Sequence, residues 1–304
     1  MYLVVIDAHL HLWNTERFRY EWLQRPENAA INRTFGFEDF KGRAEAAEVD
    51  RAVLVQADDS DADTDAMLEV AAAHPEIAGV VAWVPLDRPA EAALRLDELA
   101  KRPAFSGIRT LIHDQPDPDW LLRPEVGEGL ALLEQRGIPF DVIAVRPRHL
   151  GHVPALSERY PALRMVLDHL AHPPLGSADT GSPDTGSPDT GSPDTGSPDT
   201  GEWRALITAA ARNPLVFAKI SGLYPPHQDW TADDLTEVAE FAFGLFGPER
   251  LMFGSDWPVA ELSGGYAKVR TELSRLFAQL PPHGRDAVLG GTATRFYALE
   301  NRAD

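Results

Sequence analysis

A single-domain α/β protein, a (β/α)8 TIM barrel, is the fold class this sequence predicts, and three observations carry it. Eight short runs rich in β-branched residues alternate with longer helical patterns. Several runs, such as AVLVQ, GVVAWV and FDVIAV, are apolar almost throughout, as parallel strands covered on both faces are. The first run ends in H-L-H-L-W, without the glycine-rich phosphate loop expected of the competing architecture, an open doubly wound sheet.

Taken in order, the predicted strands span 3–12, 51–57, 78–86, 105–112, 140–145, 164–170, 216–223 and 251–259. Helical periodicity fills the intervals: AMLEVAAAH within 61–74, EAALRLDELAK over 91–101, PEVGEGLALLEQR over 124–136, and like patterns over 203–212 and 233–245. Pro124 suits a first helical turn, and Gly137 supplies a C-terminal stop. One stretch stands apart. From Gly176 to Thr200 the chain reads GSADT once and GSPDT four times. It has no apolar side chain larger than Ala, so it cannot bury enough surface to offset its chain entropy. The expectation is a low-complexity loop over 176–201, a surface insertion that closure entropy barely penalises.

The composition narrows the function. The chain has 304 residues, 44% of them apolar, enough for a sizeable core. Its formal charge of −19 argues against nucleic acid or an anionic membrane surface as partner, because phosphate binding needs clustered Lys and Arg. The absence of Cys excludes a disulfide scaffold, a thiolate metal site and a cysteine nucleophile. No apolar run approaches the ~20 residues of a membrane helix. The N-terminus lacks a basic region and a small-residue cleavage site, so a cytoplasmic protein is expected.

In such a barrel, polar residues at the C-terminal strand ends are the catalytic candidates. His9 and His11 stand at i and i+2, so both imidazoles share one face of strand one. Such a pair can ligate a metal or donate to a developing oxyanion; it also occurs as two satisfied structural histidines. His169 ends strand six, where alternation puts it on the face of Met165 and Leu167, opposite Asp168. A core histidine bonded to a carbonyl is the alternative there. Asp256, in FGSDWP, ends strand eight as a rim carboxylate able to activate water or to cap a helix. Strands one and eight are neighbours in a closed barrel, so His9, His11 and Asp256 could converge with His169. That donor set suits one Zn²⁺ or Mn²⁺ ion. Trp83, Trp257 and Tyr224 are candidate pocket walls or core residues. His113 and Arg146, near strand ends, fit a site or a solvated surface equally.

On these motifs the chain resembles the amidohydrolase superfamily, and within it the amidohydrolase-2 branch that contains sugar lactonases and pyrone-dicarboxylate lactonases. The resemblance runs from IDAHLHLW through RAVLVQA, AGVVAWVPL, SGIRTLIHD, FDVIAV, MVLDHLAHPPL and KISGLY to LMFGSDWPV and TATRFYAL. It implies a hydrolase that opens a small lactone, with Asp256 deprotonating water and His9, His11 and His169 polarising the carbonyl, directly or through one divalent ion, zinc foremost. Arg109 falls where related lactonases contact substrate, and His172 stands where many relatives carry lysine. The departures weigh against two metals. Strand four offers Arg109 instead of a bridging lysine or glutamate. Strand five ends in AVRPRHL without a histidine; His149 and His152 follow on the loop or next helix. Some lactonases of this branch work without metal, so a metal-independent site is the companion expectation. Thr292 replaces a frequent asparagine. The alternative reading is a metal-dependent decarboxylase of an aromatic or unsaturated acid; a binding protein on the same scaffold is a third. The implied partner is a small lactone or carboxylate.

Overall fold

In a computed structural model, residues 4–176 and 200–299 are described. They form eight parallel strands in the order β1 to β8: Ile6–Leu10, Arg51–Val55, Ile77–Ala82, Phe105–Arg109, Phe140–Val142, Met165–Leu167, Val216–Ile220 and Leu251–Phe253. Each is followed by a helix: α1 Phe37–Ala46, α2 Asp61–Ala73, α3 Pro89–Leu99, α4 Pro124–Arg136, α5 Pro147–Arg159, α6 Thr200–Ala211, α7 Ala232–Phe246 and α8 Gly265–Phe277. The result is a nearly closed (β/α)8 barrel, as the alternation predicts. Pairing between β1 and β8 is confined, among the described residues, to the C-terminal rim. There Leu10 bridges Trp257, His11 N–H donates to the Trp257 carbonyl at 2.8 Å, and Asp256 N–H donates to the His9 carbonyl at 2.9 Å.

The apolar strands bury against the helices, whose inner faces supply residues such as Leu96, Leu130, Leu133 and Leu276. Inside the barrel, Ile6, Val53, Val166 and Met252 form a smaller core with Phe296, Tyr297 and Leu299, so the C-terminal segment plugs the end opposite the rim. Gly79 and Gly107 make room for it: a β-carbon there would sit 3.1 Å from Leu299 and 3.4 Å from Tyr297. Among the described residues no helix is long and apolar enough to cross a membrane.

Every predicted strand is shorter than its apolar run, chiefly at the C-terminal end. The ladder stops at Leu10, Arg109, Leu167 and Phe253, while buried chain continues beyond. The loop expected over 176–201 lies largely outside the described residues, which resume at Thr200. Its C-terminal bound needs correction, since Thr200 and Gly201 already belong to α6.

Candidate active site

The site is built by departures from regular strand geometry. In β1, Asp7 opposes Ala52 and Leu10 opposes Leu54, so one extra residue is accommodated between them. This bulge lets Ala8 join the inner core while His9 also reaches inward; Asp7 turns outward, accepting from Ser255 N–H (2.8 Å) and the Tyr266 hydroxyl (3.1 Å). His11 lies one residue beyond the strand, and its Nδ1 meets the Val55 carbonyl at 2.8 Å. A carbonyl only accepts, so the His11 proton sits on Nδ1 and the Nε2 lone pair faces the site.

His169 is not on the strand alternation expected for it. β6 ends at Leu167, and His169, Leu170, Ala171 and His172 all take left-handed backbone conformations, with φ of 54°, 52°, 56° and 52°. Each such L-residue costs roughly 1–2 kcal/mol, so the turn needs external support. The Trp203 indole donates to the Leu170 carbonyl (2.9 Å), and His169 Nδ1 meets Ser221 Oγ (2.9 Å). Gly222 makes the approach possible: at φ +57°, a β-carbon there would sit 2.3 Å from His169 Nδ1. The turn brings both Asp168 and His169 to the site, where alternation would have separated them. Asp256 also has positive φ, 55°.

The four predicted residues converge. Asp256 Oδ1 lies 3.4 Å from His11 Nε2, 3.8 Å from His9 Nε2 and 3.9 Å from His169 Nε2. Tyr224 hydroxyl donates to Asp256 Oδ2 at 3.1 Å. Burial drives the imidazoles toward neutrality. It pushes His9 down to about 3 against the opposing Asp168, and His11 and His169 well below the usual histidine range, with Arg109 adding at His11 and His9 adding at His169. Neutral imidazoles are what a metal requires as ligands. One nitrogen each of His9 and His169 and one Asp256 oxygen lie within 4.8 Å of one another, and two imidazoles with a carboxylate form a donor set that fits zinc. His11 is not part of that three-donor group, though its Nε2 stands 3.1 Å from His9 Nε2.

Beneath these donors lies a charged layer that sequence reasoning missed. Lys219, fully buried on β7, reaches Asp141 Oδ2 (2.6 Å), Asp168 Oδ1 (3.0 Å) and His9 Nδ1 (3.1 Å). Asp168 Oδ1 is 3.2 Å from the same His9 nitrogen, and its Oδ2 accepts from Arg109 at 3.1 Å. Burial alone would raise Asp168, but Lys219, His9 and Arg109 hold it well below the usual carboxylate range. Burial lifts Asp141 to about 6 despite Lys219, and the Tyr297 hydroxyl donates to it at 2.7 Å. A signal existed: single charged residues inside the apolar runs FDVIAV and VFAKI demand buried partners.

A cavity lined by His11, Arg109, Trp22, Asn28 and His113 among others adjoins the donors at His11. Arg109 is held there by donating to the Gln56 carbonyl at 2.6 Å. The other expected substrate contacts lie elsewhere. Trp257 is fully buried, edge-on to Phe35 with ring centroids 5.2 Å apart, and donates to Glu261 at 2.6 Å; it is a core residue. Trp83, half-buried beyond β3, is not among the cavity's lining residues. His172 lines a neighbouring pocket with Pro174 and Trp203, its ring centroid 5.1 Å from that of His169. His149 and His152 are buried on α5, where His152 faces Asp119 at 3.0 Å.

The family model described as amidohydrolase matches residues 6–299. An L-fucono-1,5-lactonase from Burkholderia ambifaria is 32% identical over 97% of this chain and 96% of its own. A crystal structure of an amidohydrolase from Burkholderia multivorans with bound zinc superimposes with a TM-score of 0.81, at 30% identity, over 97% of this chain and 99% of that one. A structure from the same organism with bound HEPES gives a TM-score of 0.83, at 30% identity and the same coverage.

Proposed function

Since the chain belongs to the amidohydrolase family, we propose that it is a lactonase that opens a sugar 1,5-lactone by attack of water on the ring carbonyl. One observation carries the reading: the Asp256 carboxylate stands within 3.4–3.9 Å of ring nitrogens from three histidines at the C-terminal rim of the barrel. The similarity to the L-fucono-1,5-lactonase supports that substrate class.

Asp256 takes a proton from water, and the resulting hydroxide forms the new C–O bond. Arg109, at the cavity wall, supplies positive charge for the tetrahedral oxyanion, where a preorganised donor contributes about 3 kcal/mol. Collapse breaks the ring C–O bond, and the departing alkoxide recovers the proton from Asp256. The product is a hydroxy acid, which ionises in water. His9, His169 and Asp256 are the residues that would hold a divalent ion, with His11 adjoining; bound zinc supplies Lewis-acid polarisation of the carbonyl. Tyr224 orients the carboxylate through its hydrogen bond.

The test is acid release from L-fucono-1,5-lactone in a pH-indicator assay, with metal content measured on the purified protein. Asp256→Asn should lower kcat by about 10²–10⁴-fold with an unchanged circular dichroism spectrum. Hydrolysis by the variant at the wild-type rate would overturn the assignment. Carbon dioxide release from aromatic acids, measured in parallel, would support the decarboxylase reading instead.

A further inference from the structure

His9 and His11 meet edge to edge at the rim, and their protons have to be placed. His11 carries its proton on Nδ1, which the Val55 carbonyl holds at 2.8 Å, so its Nε2 presents a lone pair. His9 Nε2 stands 3.1 Å from that lone pair. Two facing lone pairs in a buried site leave both acceptors unsatisfied. The contact is favourable when His9 Nε2 carries a proton, or when a cation takes both lone pairs. Burial keeps His9 neutral, so it has one ring proton to place.

The far side of the His9 ring offers a partner for either placement. Nδ1 lies 3.1 Å from Lys219 Nζ, which only donates, and 3.2 Å from Asp168 Oδ1, which only accepts. Both residues are fully buried, so no bulk water competes. The Lys219 contact is aligned as a hydrogen bond, whereas Asp168 Oδ1 lies off line from the donors near it. This geometry belongs to the Nε2–H tautomer, in which Lys219 donates to Nδ1 and Nε2–H donates to His11 Nε2. Arg109 Nη1, 3.4 Å from His9 Nε2, favours the other tautomer, but that contact is longer and the same nitrogen donates to Asp168 Oδ2 at 3.1 Å. Holding a cation reverses the preference. His9 then needs its Nε2 lone pair, its proton moves to Nδ1, and Asp168 Oδ1 is the acceptor beside it, the carboxylate partner that a metal-bound imidazole ordinarily has. Resting on the reading of His9 as an ion ligand, and not on the identity of the lactone, we propose that Lys219 and Asp168 are positioning residues that hold His9 in opposite tautomers, Lys219 the Nε2–H form of the ion-free site and Asp168 the Nδ1–H form of the loaded one. His9 thus accepts an ion by moving a proton within its own ring, and the ion-free site is spared the clash of two lone pairs.

Long-range proton–nitrogen correlation NMR spectra of histidine-labelled protein report which ring nitrogen carries the proton, and His9→Gln identifies the His9 signals by their loss. In protein dialysed against EDTA the His9 proton should be on Nε2; after stoichiometric zinc it should be on Nδ1. Lys219→Met should place it on Nδ1 before any zinc is added. A proton on Nδ1 in the ion-free wild type overturns the proposal, and an Nε2–H form in ion-free Lys219→Met overturns the role of Lys219. If Lys219→Met does not fold, the two wild-type spectra decide. Equilibrium dialysis separates the remaining outcomes: zinc that binds without moving the proton overturns the proposal alone, and zinc that does not bind overturns the ion-ligand reading together with it. Failure to open a lactone bears on the substrate reading only, because the spectra involve no substrate.

Discussion

Replacing Lys219 by Met tests the charged layer beneath the site. The substitution keeps most of the side-chain volume and removes the cation that Asp141 and Asp168 share at 2.6 and 3.0 Å, all three residues being fully buried. Asp168 keeps Arg109 at 3.1 Å, whereas Asp141 keeps the neutral Tyr297 hydroxyl at 2.7 Å, so the loss falls mainly on Asp141. Removing one partner of a buried pair costs about 3–5 kcal/mol. Equilibrium unfolding in urea at pH 7.5 should show a deficit of that size. The pair Lys219→Met and Asp141→Asn should recover part of it, with a coupling of about 1–3 kcal/mol. Asp141 already sits at about 6, above the ordinary carboxylate value of 3.8, because of its burial. Without Lys219 it rises further, so the folded state holds a proton that the unfolded state has released. Stability of the variant therefore falls as pH rises above about 4, and its deficit widens toward pH 8. A deficit below about 1 kcal/mol, or double-variant losses that simply add, would refute the reasoning.

Further outcomes follow from the same geometry. Gly222→Ala puts a β-carbon where 2.3 Å separates it from His169 Nδ1, at φ +57°; zinc affinity and kcat should both fall at least about tenfold, the range seen when a metal ligand loses its support, measured by chelator competition and lactone hydrolysis. Trp203→Phe removes the donor to Leu170 in the left-handed turn; chemical denaturation should register a loss of about 1–3 kcal/mol, and kcat should fall more than KM changes. Burial raises Asp63 to about 6, so between about pH 4 and 7 the folded state binds a proton the unfolded state lacks, and stability declines as pH climbs. Asp63→Asn abolishes that contribution, gaining on the order of 3 kcal/mol relative to wild type between those limits, as pH-dependent urea titrations would show.

The barrel was legible because parallel strands buried on both faces leave a plain apolar signature, and runs such as AGVVAWV carry it without ambiguity. His9, His11 and Asp256 were readable from spacing and position at strand ends. The route by which His169 arrives was not: His visits left-handed backbone more readily than most residues, but Leu and Ala do not, so nothing in HLAH announces four such residues in succession. Strand ends were overread because burial continues past the last ladder bond, as at His11 and Asp256. Trp257 was open to two readings because an indole serves a core as readily as a pocket wall; its edge-on packing with Phe35 puts it in the core.

Among the described residues, the backbone-to-backbone hydrogen bonds that join the end of the last strand to the first are made by His9, His11, Asp256 and Trp257, three of which also carry the proposed chemistry. Unzipping the cylinder and dismantling the catalyst are consequently one event. Heat inactivation should track loss of tertiary structure without a folded, inactive stage, and the amide protons of His11 and Asp256 should exchange with deuterium only when the whole molecule opens.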